Sequence, residues 1–257
     1  MENSTETTPA APATPAKACA HHPFQMHQPE PGCKCGKLRP PRKLHAAIGL
    51  WLTFFLGVHL AICATGISPS QYQNSVDTIH KPLAYIPGAV LLLVILPVLF
   101  QMASGSFLTV KEGMKYDIKR CDRGGKFRFF LQRITGVAIL AFLLLHIGSV
   151  YRWGFPLTYQ SAFTFTASAF RPWSSSTANF ITIALLFAGI LGSVFHAANG
   201  LWSGAILWKA IQTPEGKTRW NYVCSALGLA LAVMGSLAWY AFTLSAHAQP
   251  TVAATIR

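Results

Sequence analysis

Three histidines fall inside long apolar stretches of this chain: His59, His146 and His196. An imidazole surrounded by apolar residues is costly unless it is hydrogen-bonded or bound to a metal, so each one marks either chemistry or a bond between helices. The central stretch, FFLQRITGVAILAFLLLHIGSVY (Phe129–Tyr151), poses the problem clearly, with Gln132 and Arg133 at one end and His146 alone near the other. Two imidazoles at one depth on different helices can take one iron from opposite sides, which is what a bis-histidine b-type haem requires. No Asp or Glu lies within any of the apolar segments, so none of these histidines has an intramembrane carboxylate to pair with. The competing reading is structural, with each histidine hydrogen-bonded across helices.

The elements that must position these residues follow from composition. The chain is 52% hydrophobic and only 11% charged over 257 residues, far below the ~25% charged content of soluble domains. Five segments are apolar for twenty residues or more: helix I at about Leu44–Gly66, II at Leu83–Val110, III at Phe129–Tyr151, IV at Asn179–Trp208 and V at Asn221–Ala246. Each is long enough to cross a ~30 Å hydrocarbon core. The expected fold is all-α, an integral membrane bundle of five transmembrane helices spanning residues 44–246, with a short C-terminal tail at 247–257. Pro87 falls in the first turn of helix II, and Pro97, inside it, should kink it. The 152–178 connection carries Trp153, Phe155, Tyr159 and Trp173, aromatics suited to an interfacial segment.

Residues 1–43, rich in Pro, Ala, Thr and Lys, read as a disordered tail. Cys19, His21, His22, His27, Cys33 and Cys35 cluster loosely within it, but their spacings match no ordered zinc pattern. The six cysteines show no disulfide framework. The first forty residues are polar and contain no signal peptide, so helix I is expected to insert as an internal anchor.

The net charge of +13 lies mostly in tails and loops, a membrane-topology pattern that argues against a nucleic-acid partner. Six basic residues lie in the N-terminal tail, seven in the II–III loop (Lys111, Lys115, Lys119, Arg120, Arg123, Lys126, Arg128) and three in the IV–V loop. The opposite side carries Lys81, Arg152, Arg171 and Arg257. The positive-inside rule therefore puts the N-terminus in the cytoplasm and the C-terminus outside, in a cytoplasmic (inner) membrane.

Depth then sorts the histidines. His59 lies about seven residues from the outer end of helix I, and His146 about five from the outer end of helix III. His196 lies about twelve residues from the inner end of helix IV, in the other half of the membrane. Its counterpart at suitable depth in helix II is Gln101, followed by Met102, and helix II contains no histidine. His80 precedes helix II on the outer side, and His45 opens helix I on the inner side. Spacing alone supports one haem and leaves a second without a partner ligand. Gly57, Ala61, Gly148, Gly192, Ala197, Ala198 and Gly200 flank the histidines, leaving room for a macrocycle or for close helix packing.

Three runs carry a family resemblance: LHAAIG before GVH in helix I, LQRITGV leading to His146, and VFHAANGLW in helix IV. In these, over roughly residues 43–243, the chain resembles the single-subunit, five-helix cytochrome b anchor of succinate:quinone oxidoreductase (succinate dehydrogenase/fumarate reductase, complex II). The resemblance implies two haems b stacked across the membrane, with His59 and His146 matching the axial ligands of the outer haem and His196 one ligand of the inner. The inner partner should be a histidine in a run such as LPLIFHA, but the chain reads LPVLFQM, with Gln101 in that position. An amide oxygen is a poor substitute for imidazole on haem iron.

The resemblance further implies flavoprotein and iron–sulphur partner subunits docked on the basic inner loops, and a quinone, often menaquinone in such relatives, near the outer haem. The chain itself carries no flavin fingerprint and no iron–sulphur cysteine run, so it would be a non-catalytic electron-transfer subunit. Arg42, Lys43 and Arg133 read as helix-end anchors, with haem propionates as the alternative. Two other readings stay open: a stand-alone transmembrane cytochrome b, and a haem-free anchor or transporter with structural histidines.

Overall fold

Two consecutive prolines open the first apolar helix, at a helix start, where their missing N–H groups cost nothing. That helix, α1, runs Pro40–Ala64, and its 25 residues span about 37 Å. The computed structural model describes residues 40–112, 125–152, 161–170 and 175–248. The N-terminal Cys/His tail, most of the II–III loop, the aromatic residues Trp153, Phe155, Tyr159 and Trp173 and the end of the C-terminal tail lie outside the described residues. All regular structure among the described residues is helical: α1, then α2 (Pro69–Ala84), α3 (Leu96–Glu112), α4 (Gly125–Arg152), α5 (Ala162–Ser168), α6 (Ser176–Leu207) and α7 (Pro214–Ala248). Five of these helices are long and apolar enough to cross a membrane, as the sequence predicts.

Large apolar side chains point away from the bundle on every spanning helix, among them Leu50 and Phe54 on α1, Leu99 on α3, Leu144 on α4, Phe180 on α6 and Leu229 on α7. Water would not tolerate so much exposed apolar surface, whereas hydrocarbon does. Between helices the contacts rest on small residues, because lipid gives apolar side chains no reason to hide. A Cβ on Gly228 of α7 would come within 3.1 Å of the Ala198 methyl on α6, and one on Gly204 of α6 within 4.0 Å of the Ala46 methyl on α1.

Packing order decides which side chains can meet. α1 packs against α3 and α6, and α4 packs against the same two helices, so these four form a ring. In that ring α1 and α4 face each other across one diagonal, and α3 and α6 across the other. α7 lies outside the ring, against α1 and α6.

Helix II departs from the sequence-based expectation at its start. The chain turns at Tyr85–Gly88, with Gly88 at φ +75°, so Pro87 sits in a turn rather than a first helical turn. A π-helical turn at Leu91–Ile95 then leads directly into α3. The turn precedes Pro97, whose ring removes the N–H that the Leu93 carbonyl would otherwise receive. That carbonyl accepts instead from Trp51 Nε1 of α1 at 2.7 Å. In hydrocarbon no water could replace this donor. Trp51→Phe keeps the aromatic body and loses the bond, so it is expected to lower stability by about 1 kcal/mol, measured by unfolding in mixed detergent. A variant as stable as the parent would show that the carbonyl finds another donor.

The region between helices I and II, to which the sequence assigned no element, forms α2. With α5 it caps the end of the bundle that the charge pattern predicts to be outer, the sense in which outer and inner are used below, around Tyr72, Phe163, Ala167, Phe170, Ile183 and Phe242. The 152–178 connection thus contributes α5 to this cap, while the four aromatics that suggest an interfacial segment lie outside the described residues. Tyr72 Oη and Thr166 Oγ1 are 2.9 Å apart, and Ala162 N–H donates to Gln73 Oε1 at 2.8 Å. Burial pushes the Tyr72 phenol up to about 12, with nearby Cys63 adding to the rise and the Thr166 bond opposing it, so it stays protonated. Gly66 is needed where α1 meets this cap, because a Cβ there would stand 2.7 Å from Phe242 Cζ.

Helix ends on the opposite side are closed locally. α6 stops in a left-handed turn at Lys209 (φ 57°), where Ala210 N–H reaches back to the Ala205 carbonyl at 2.9 Å. Thr213 Oγ1 then caps α7, accepting from Gly216 N–H at 3.1 Å.

Candidate functional site

His59 projects from α1 and His146 from α4, five and six residues from the outer ends of their helices. Their rings meet across the diagonal, with centroids 6.2 Å apart and planes at 75°. Each imidazole is backed by a phenyl ring one turn earlier on its own helix. Phe55 stacks on His59 at 5.7 Å and 18°, and Phe142 on His146 at 5.5 Å and 17°. These i, i+4 pairs restrict ring rotation, since side chains four apart share one helical face.

Gly189 on α6 makes the second stack possible, because a Cβ there would fall inside the Phe142 ring. A glycine facing an aromatic across two helices is not recognisable from sequence, and Gly189 is not among the small residues that flank the histidines along the chain. Gly192, which is, faces open space. Sequence reasoning also misses Cys63: its Sγ lies 3.8 Å from His59 Nε2, and its position four residues along α1 is the available signal. Among the described residues no group of three His, Cys, Asp or Glu side chains converges on a common point. The arrangement is therefore a facing pair, not a zinc-like cage, and it suits an iron whose other ligands come from a macrocycle.

The inner half holds a second polar cluster. On α1, His45 Nδ1 lies 2.7 Å from Ser104 Oγ of α3, and its Nε2 lies 3.2 Å from Gln101 Nε2. His45, to which the sequence assigns no role, thus touches the residue that stands in the helix II ligand position. On α6, His196 Nδ1 lies 3.2 Å from Thr135 Oγ1 of α4. Gly136 leaves room for that ring, since a Cβ there would come within 3.2 Å of His196 Cε1. The glycine of QRITG and the histidine of VFHAANGLW are therefore direct neighbours.

Below His196 a network reaches toward the inner end. Gln132 Nε2 donates to the His196 carbonyl at 3.1 Å, and Asn199 Nδ2 donates to Gln132 Oε1 at 2.7 Å. Arg128 Nε donates to Asn199 Oδ1 at 2.9 Å, its Nη1 to Asn221 Oδ1 at 2.6 Å, and its guanidinium lies 4.5 Å from the Trp202 ring centroid. Asn199 and Trp202, which had only a motif to recommend them, are thus parts of the site that holds Arg128. Lys43 Nζ lies 5.4 Å from the Trp208 ring centroid and the Arg133 guanidinium 4.1 Å from that of Phe129.

These features define a class: a five-helix membrane bundle that carries imidazoles on diagonally facing helices, as membrane-embedded cytochromes do. No family model matches the chain. It is 26% identical over 205 residues to the succinate dehydrogenase cytochrome b558 subunit of Bacillus subtilis (strain 168), an alignment covering 78% of this chain and 95% of that protein. The chain is thus a homologue of a complex II cytochrome b subunit, in keeping with the resemblance carried by its motifs.

Proposed function

We propose that this chain is the cytochrome b membrane anchor of a succinate:quinone oxidoreductase, relaying electrons between an iron–sulphur subunit and a membrane quinone, with His59 and His146 as axial ligands of an outer haem b. The observation that carries the reading is the facing pair. Two metal–imidazole bonds of about 2.0–2.1 Å, plus the depth of each ring, put the centroids roughly 6–6.5 Å apart. The observed 6.2 Å falls within that span. The donor set fits a bis-imidazole iron.

Haem b, when bound, supplies a one-electron iron couple inside the apolar interior. The protein's part is to fill both axial positions, leaving no open coordination site for substrate. Phe55 and Phe142 hold the two rings at fixed rotation, and the apolar faces around them keep water away. With no carboxylate in the apolar segments, protons for quinone chemistry would come from water or from groups at the helix ends. The basic loops lie at one end, and the positive-inside rule puts that end in the cytoplasm, where their positive charge would favour acidic surfaces on a partner. A flavoprotein and an iron–sulphur subunit would dock there, and the quinone, menaquinone by resemblance, would enter from lipid.

The test is to purify the chain with its partner subunits, determine haem by pyridine haemochrome, and add succinate. A low-spin b-type spectrum reduced by succinate and reoxidised by a quinone analogue is expected. A complex that contains the partners but shows no Soret band would return the histidines to packing.

A further inference from the structure

Arg128 is the fourth residue of α4 and the second of the apolar span Phe127–Ile147, so its side chain stands where hydrocarbon gives way to headgroups. α4 and α7 each pack on α6 but not closely on one another, which leaves a groove between their inner ends with α6 as its floor. Arg128 spans this groove. Its Nε donates to Asn199 and its guanidinium lies on the Trp202 ring, both on α6, while Nη1 reaches Asn221 on α7. Asn199 Nδ2 also donates to the Arg128 carbonyl at 3.4 Å, so the backbone is held along with the side chain.

These bonds fix the cation without neutralising it. Both acceptors are amide oxygens, and they take one N–H on Nε and one on Nη1, leaving Nη2 for a further acceptor. A half-buried guanidinium at the edge of a low-dielectric region is stabilised by an anion that can take its remaining donors. The surrounding charge has the same sign. Lys217 lies one turn before Asn221 on the same face of α7, and Arg219 follows it, against the single carboxylate of Glu215 in the first turn. Phe127 on α4 and Val223 on α7, both exposed and apolar, flank this level of the bundle. A ligand that suits all of this has a negative head and an apolar tail.

We infer that the groove between the inner ends of α4 and α7 binds an anionic phospholipid, with its phosphodiester on the Arg128 guanidinium and its acyl chains against the apolar side chains beside it. The site stands whether or not the chain binds haem. Asn199 and Asn221 orient the guanidinium before the lipid arrives, so its donors need no reordering on binding. Asn199 also donates to Gln132, and Gln132 to the His196 carbonyl, so a bound headgroup steadies the part of α6 that carries His196.

The test uses the full chain purified with its partners and relipidated with phosphatidylglycerol or with phosphatidylcholine of the same acyl chains. Native mass spectrometry scores the lipid retained, and thermal unfolding scores the stabilisation it confers. Phosphatidylglycerol is expected to survive detergent washing at least roughly 10-fold better than phosphatidylcholine. Arg128→Gln should lower its retention by a similar factor and remove the stabilisation. Arg128→Lys, which keeps the charge and loses the planar fork, should fall between and guards against a glutamine variant that fails to fold. Lys43→Gln, at another helix end on the same side, should leave retention unchanged. Equal retention of the two lipids, or of phosphatidylglycerol by the parent and both Arg128 variants, would overturn the inference. An equal loss on Lys43→Gln would overturn it by reducing the effect to overall surface charge. Release of a partner subunit from Arg128→Gln at unchanged lipid retention would overturn it too, by making the guanidinium a contact for a protein carboxylate.

Discussion

Replacing either His59 or His146 by alanine is expected to abolish the low-spin haem of the outer site, with its occupancy falling at least roughly 10- to 100-fold. On the proposed reading the two variants should behave alike, because each imidazole would supply one of two equivalent axial bonds and neither has a second imidazole beside it to take its place. The neighbours of the two rings include Phe55, Phe142 and the thiol of Cys63, and the phenyl rings offer no lone pair. A hydrogen-bonded histidine predicts something else: alanine would cost about 1–3 kcal/mol of stability and leave any haem spectrum unaltered. Spectrum and thermal stability in detergent, measured together, separate the two. Free imidazole offers a sharper control, since it can enter the cavity left by His59→Ala and restore the low-spin band. Full haem occupancy in both alanine variants would remove the outer pair from the assignment.

The same packing makes Gly189 part of that site at one remove. A side chain there pushes Phe142 out of its stack on His146, so the histidine loses its backing without being touched.

Such relations show where sequence reasoning reaches and where it stops. Hydropathy and length are summed over twenty residues, so the five spanning helices are legible despite soft ends. Depth along a helix is simple arithmetic, and His59 and His146 accordingly meet. Rotation about the helix axis is another matter, because it depends on which neighbour each face meets. His45 and Gln101 come together only because α1 and α3 pack at the register that places Gly49 and Gly105 between them. Pro97 is legible as a perturbation, but its cure, the indole of Trp51 on a different helix, is not. α2 and α5 go unread for a third reason: their apolar residues meet Phe242 and Ile183 from other helices, so neither segment is strongly apolar by itself.

Asn199→Leu is expected to cost about 2–4 kcal/mol and to disturb the inner half of the bundle in preference to the outer. Asn199 is nearly fully buried, at 4% exposure, and it serves two partners at once: it accepts from Arg128 Nε and donates to Gln132 Oε1. Leucine has a similar size and neither function. Arg128 would keep Asn221 and its place over Trp202, and as a half-buried group it can lean toward water, which holds the cost below that of a fully buried broken ion pair. Gln132 would lose the bond that aims its amide at the His196 carbonyl, so the backbone carrying His196 would loosen. Asn199→Asp supplies the control. A carboxylate keeps the acceptor for Arg128 Nε, and strengthens it by charge, while losing the donations to Gln132 Oε1 and to the Arg128 carbonyl. The order of thermal stability should therefore be Asn199 above Asp and Asp above Leu, with the outer haem spectrum constant across the series. If leucine proved as stable as asparagine, the network would be a bystander and Arg128 would be held by Asn221 and Trp202 alone.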